Sequence, residues 1–294
     1  MLPPIVATPS QQLEVVEMKM SNLSKNHRLQ PMFPSMSGRK IKRNFPLVWK
    51  LYNAVCESSN ANTYFENFKE GWNGAKRKSW KDIESDLTTL DANAWKSLKA
   101  EVTHRFSQIR DPNRGWQAAF DIINEVKAYR FLKEKFSVTE LQFILKSKKK
   151  GQKTPDLCGK RNGEAVLCEV KTINPSKEEI AARNNGTARN TTQQFLSENF
   201  WEKLKEKMKG AYDQMTSYDA SASRIIYVIL NFDDNLNEYV SNYISQIKHK
   251  APNLCPALVE VIFDIKPPYY SATSISPPST ILHCSTKGCT QISG

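Results

Sequence analysis

Apolar positions recur along this chain in two periods, one helical and one of extended strands. Phe45, Leu47, Val48, Leu51, Tyr52 and Val55 form a stripe at helical spacing, and Tyr64, Phe65 and Phe68 start another that Gly71 and Gly74 break. Ser79 with Asp82 reads as a capping box opening a helix through Ile83 and Leu87, and Trp95, Leu98 and Val102 mark a further helix. Residues 45–110 therefore predict a small helical subdomain whose aromatics serve as core. Asp111-Pro112 supplies an N-cap followed by proline at the first helical position, which predicts a helix from there to about Lys135. Ala118, Ile122, Glu125, Tyr129 and Leu132 share one face of it. Val138–Lys146 reads as a first strand. A long helix is expected from about Thr192 to Tyr218 on the apolar line Trp201, Leu204, Met208, Ala211 and Met215. The β-branched run from Arg224 to Phe232 predicts a buried strand. A helix over 236–248 and a strand over 258–265 follow, and the Pro- and Ser-rich stretch 267–294 predicts an irregular tail.

The sharpest local signal lies between residues 154 and 173. Asn162-Gly163 is a strong two-residue hairpin turn, because both residues tolerate positive φ. Ala165-Val166-Leu167-Cys168 and then Val170, Thr172 and Ile173 suit a strand. With Asn162 and Gly163 as the loop, Arg161 faces Glu164, and each further pair has numbers with the same sum. Asp156 then faces Glu169. Lys171, two residues on, projects to the same face.

Two carboxylates so close repel, which raises one pKa unless a cation lies between them. Mg²⁺ takes one or two carboxylates and leaves its other positions to water and phosphate oxygens. A neighbouring lysine can orient water or neutralise developing charge. Glu125 is an acid set in an apolar stripe, and burying it alone is costly. Pairing with a lysine is one way to meet that cost.

Pro155-Asp156, twelve intervening residues, then Glu169-Val170-Lys171, resembles the signature of the PD-(D/E)XK nuclease superfamily. The alternative is a surface hairpin with an ordinary cross-strand Glu–Lys pair. The resemblance covers about residues 111–266. It implies an α/β fold: an αβββαβ restriction-endonuclease-like core with a mixed central sheet flanked by helices, here joined to the N-terminal helical subdomain. It implies a Mg²⁺-dependent nuclease, with Mn²⁺ able to substitute. Asp156, Glu169 and the Val170 carbonyl would ligate the metal, Glu125 would assist, and Lys171 would position or activate water. Gln214-x-x-x-Tyr218 is similar to the QxxxY motif of the RecB-like and lambda-exonuclease-like branches, and both residues share a helix face.

Charge extends this picture. The 294 residues carry 42 Lys and Arg against 30 Asp and Glu, a net charge of +12, which favours a polyanionic partner. DNA is the expected substrate, with RNA left open. Lys148, Lys149, Lys150 and Lys153 lie beside the hairpin and read either as a solvated run or as a phosphate-backbone clamp. The basic end Arg39–Arg43 of residues 1–44 reads as a mobile arm, either a linker or a phosphate contact. The loop 174–190 is polar enough to close on substrate. A non-catalytic nucleic-acid-binding protein retaining the core is the rival class, and an accidental motif in an interaction protein is another. The oligomeric state stays open, a homodimer included.

No run of 18 apolar residues suggests a membrane span. The N-terminus lacks a basic n-region and an apolar h-region, which argues against a secretory signal and for a cytoplasmic location. The six cysteines are scattered and expected to be reduced. Cys284, Cys289 and His283 do not form a standard zinc-ligand spacing.

Overall fold

A computed structural model describes residues 38–58, 74–108, 111, 116–146, 153–174, 195–231, 236–266 and 279–292, with the backbone alone at 38–39, 74–79 and 236–239. The helices are α1 (Gly38–Asn44), α2 (Pro46–Ser58), α3 (Gly74–Leu87), α4 (Ala92–Phe106), α5 (Gln117–Lys135), α6 (Glu198–Tyr218) and α7 (Leu236–Lys250). The strands are β1 (Thr139–Phe143), β2 (Leu157–Arg161), β3 (Glu164–Ile173), β4 (Ser223–Asn231), β5 (Val259–Lys266), β6 (Thr280–Ser285) and β7 (Gly288–Ile292). All seven join one mixed sheet in chain order. β1, β2 and β3 are antiparallel, β3, β4 and β5 parallel, and β5, β6 and β7 antiparallel again. The parallel pairs fall where α6 and α7 intervene, because only a long crossover can return the chain in the same direction.

Helices cover both faces, so the central strands are apolar throughout. Every residue of β4 from Ile225 to Asn231 is buried. On one face, Trp201, Leu204, Met208, Ala211 and Met215 of α6 pack against Leu167, Ile226, Val228 and Val261. On the other, Ala128, Tyr129, Phe131 and Leu132 of α5 pack against Val166, Cys168, Ile225, Tyr227 and Ile262. Each such Leu or Ile contributes roughly 1.5–3 kcal/mol by leaving water.

The N-terminal helices form a layer outside α5. Val48, Leu51, Trp80, Ile83, Val102 and Phe106 bury against Phe120, Ile123 and Val126 of α5. Glu84 of α3 receives the Leu47 and Val48 amides of α2 at 2.9 and 2.8 Å, satisfying two donors that the first turn leaves open. One helix, α5, therefore belongs to both the helical layer and the sheet. It is also pinned electrostatically: Lys127 lies 3.0 Å from the buried Asp264 of β5.

Several boundaries differ from the sequence reading. The described part of α5 begins at Gln117, behind Trp116, and Ala118 is exposed. Phe106 packs against Trp116 and Phe120 at that start, and residues 112–115, which carry the Pro of the expected cap, lie outside the described residues. Ser79 is not a cap, because α3 is already helical from Gly74. The basic segment is helix α1, not a free arm, and its Ile41 is fully buried. α6 starts at Glu198, capped by Ser197, whose Oγ accepts from the Phe200 amide at 3.3 Å. Residues 280–292 are not irregular: the β6–β7 hairpin extends the sheet, with Leu282 and Cys284 in the core. Cys284 and Cys289 face each other across it as a disulfide, so the expectation of six reduced cysteines fails there. Cys56, Cys158, Cys168 and Cys255 are free thiols. Tyr64, Phe65, Phe68 and residues 175–194, which include nearly all of the loop expected over 174–190, lie outside the described residues. No described helix is long and apolar enough to cross a membrane.

Candidate active site

The site is built by the β2–β3 hairpin. Asn162 and Gly163 have φ of 55° and 85°, as a two-residue turn of this kind requires. The register runs from Arg161 opposite Glu164 to Leu157 opposite Cys168, the pairing expected from the turn. Asp156 stands just before β2. There its Oδ2 accepts the Val170 amide at 2.8 Å. A strand residue directs its N–H and C=O to the same neighbour, so the Val170 carbonyl also faces the Asp156 side.

Glu169 is 3% exposed and its carboxyl meets that of Asp156. Its two oxygens are engaged from two directions. Lys171 Nζ bonds Oε1, and Gln214 Nε2 of α6 donates to Oε2 at 2.7 Å. Gln214 also donates to the Thr154 carbonyl at 2.6 Å. One amide therefore ties α6 to both limbs of the hairpin. Burial, then the charge of Asp156, pushes Glu169 up to about 7 against the pull of Lys171. Burial also raises Asp156, while the Val170 amide and Lys171 act the other way. The two carboxyls titrate as a pair.

Glu125 comes from α5 on the far side. Its side chain is 14% exposed and its Oε1 lies 3.8 Å from Lys146 Nζ. Burial, followed by the charge of Asp156, holds it well above the ordinary carboxylate range. Glu125 therefore pairs with a lysine, one of the two sequence readings, and feels the charges of Asp156 and Glu169.

The structure thus brings together Asp156, Glu169, Lys171, Glu125 and Gln214. Lys153 is exposed three residues before Asp156, and Lys148, Lys149 and Lys150 lie outside the described residues. Tyr218 is 47% exposed, one helical turn beyond Gln214. The Gln214 side-chain amide is bonded to Glu169 and to the Thr154 carbonyl. Two residues escaped the sequence reading. Lys146 follows the first strand, and its partner Glu101 lies 45 positions earlier on α4, at 2.9 Å. No local pattern announces such a pair.

Among the described residues no three His, Cys, Asp or Glu side chains form a metal-holding group. Mg²⁺ asks for less: one or two carboxylates, with water and phosphate oxygens completing the shell. Asp156, Glu169 and the Val170 carbonyl are hard oxygen donors of that kind. Their raised pKa values are the mark of carboxylates buried together without enough positive charge. The donor set fits a hard divalent cation.

Comparison with protein-family models, curated proteins and solved structures gives no match.

Proposed function

We propose that this protein is a divalent-cation-dependent nuclease of PD-(D/E)XK type that hydrolyses phosphodiester bonds in DNA. The observation that carries the reading is the buried Asp156–Glu169 carboxyl pair with Lys171 bonded to it. An accidental surface hairpin would leave these groups in water, at ordinary pKa values. The chain order α5, β1, β2, β3, α6, β4 agrees with the αβββαβ arrangement of that superfamily and supports the reading.

Each residue then has a task. Asp156, Glu169 and the Val170 carbonyl hold Mg²⁺ or Mn²⁺, with Glu125 adding negative potential from α5. When bound, the ion neutralises charge on the phosphodiester and acidifies water. The Val170 amide orients Asp156, and Gln214 orients Glu169, so both ligands are fixed before substrate arrives. The Lys171 ammonium orients the attacking water and offsets charge on the reacting phosphate. Lys153, the lysines at 148–150 and Tyr218 supply the surface for the DNA backbone and bases.

The test is incubation of the purified chain with linear, circular and branched DNA, with and without Mg²⁺, and with single-stranded RNA in parallel. Glu169→Gln serves as the inactive control. Mg²⁺-dependent cleavage by the parent alone supports the assignment. DNA binding with no cleavage by either protein would favour a binding module that retains the core.

A further inference from the structure

Lys146 reaches two acids on two helices. Its Nζ donates to Glu101 Oε1 of α4 at 2.9 Å and stands 3.8 Å from Glu125 Oε1 of α5. The charge of Asp156 acts on it as well. Its side chain is 54% exposed, while that of Glu125 is 14% exposed. A long, half-exposed ammonium thus stands beside the buried Glu125 carboxylate and within the field of Asp156. At 3.8 Å the contact with Glu125 is longer than a hydrogen bond and easily given up. The bond to Glu101 is the firmer one and tethers the lysine nearby.

Resting on the function proposed above, we infer that Lys146 is the internal counter-ion of the Glu125–Asp156–Glu169 cluster and competes with the divalent cation for it. The physics is that of two positive charges drawing on one field. Whatever the ammonium costs the ion in affinity, the ion costs the ammonium in return. Glu101 gives the N-terminal helices a part in the site: it keeps the lysine within reach without burying it. A merely structural Glu101–Lys146 pair joining α4 to the end of β1 would show no coupling to an ion.

The experiment is calorimetric titration of the full chain with Ca²⁺ in the absence of DNA, comparing the parent, Lys146→Met and Lys146→Arg. Removing the charge should tighten Ca²⁺ binding about fivefold, a modest change because the lysine is half in water. Lys146→Arg keeps the charge and should stay within about twofold of the parent. If Lys146→Met does not fold, Lys146→Gln, which can still donate to Glu101, should give the same tightening. Equal or weaker Ca²⁺ binding in the charge-removed variant overturns this inference alone. A parent that binds no Ca²⁺ overturns it together with the nuclease reading.

Discussion

The side-chain amide of Gln214 donates to Glu169 Oε2 at 2.7 Å, joining the middle of the sheet to the C-terminal half of α6. The same amide holds the Thr154 carbonyl, two residues before Asp156. The bond therefore fixes the spacing between the two hairpin acids as well as the orientation of one of them. Gln214→Ala should lower cleavage roughly 10- to 100-fold, the usual cost of losing a group that orients a ligand. It should cost about 1–3 kcal/mol of stability by leaving buried acceptors unmet. Gln214→Glu adds a fourth acid and should be worse on both counts. Cleavage rates and denaturant melts of the three proteins check this. A fully active Gln214→Ala would remove the amide from the site.

Glu169 predicts a stability gain from an inactivating change. Its folded carboxyl is raised from the ordinary 4.5 to about 7. Ionising it in the folded state therefore carries a penalty that is absent below pH 4.5 and complete above about 7. Stability of the metal-free parent should fall as pH rises through that window. Glu169→Gln should fall less and melt higher at pH 8. Mg²⁺ should then raise the melting temperature of the parent at lower concentrations than it does that of the variant. Melting curves from pH 4.5 to 8 with and without Mg²⁺ read both effects. A parent with a flat profile would mean that the carboxyl pair carries no such strain.

Acid should loosen the other end of the sheet. Glu260 of β5 bonds Arg161 of the hairpin tip and stands 3.1 Å from His283 Nε2 of β6. The contact with His283 leads in pulling its carboxyl down to about 2, against its burial and with help from Arg161. A depressed acid contributes stability above its ordinary pKa of 4.5 and loses it as pH falls toward 2. Glu260→Gln should be less stable than the parent at pH 7 and converge with it near pH 2. A constant gap between the two melting curves across that range would contradict the assignment.

Gly159 should tolerate no side chain. A Cβ there would meet Val138 Cγ1 at 2.6 Å and the Thr139 carbonyl at 2.8 Å, where β1 bulges over β2. Gly163, at φ 85°, has open space around it and pays only for backbone strain. Gly163→Ala should cost about 1–2 kcal/mol. Gly159→Ala should cost more and should lower cleavage as well, because Lys146 follows β1 and Asp156 immediately precedes β2. Urea unfolding and activity of the two variants separate the cases. A harmless Gly159→Ala would show that β1 can move aside.

The sequence carried the hairpin well because its information is local. Asn162-Gly163 determines the turn, and the turn determines the register as far as Leu157 opposite Cys168, the neighbours of Asp156 and Glu169. The α6 stripe was equally legible, since all five apolar positions from Trp201 to Met215 are buried. What escaped depends on distant partners. Cys284 and Leu282 look like a polar tail until β5 offers them an edge. Ile41 sits among five basic and polar neighbours and is buried only because α2 and α3 receive it. Lys146 gains meaning from Glu101 and Glu125, which two other helices bring to it.

The reaction proposed for the hairpin acids and Lys171 is Mg²⁺-dependent cleavage of DNA. Its most direct test is single-turnover cleavage by the parent, Glu169→Gln and Lys171→Ala across a Mg²⁺ titration. Both variants should bind DNA at least as well as the parent without metal, and both should cleave slower by roughly 10²-fold or more, since charge stabilisation supplies much of the barrier reduction. Raising Mg²⁺ should partly restore Glu169→Gln, whose defect is ion affinity, and should not restore Lys171→Ala. Parental rates in either purified variant would contradict the account.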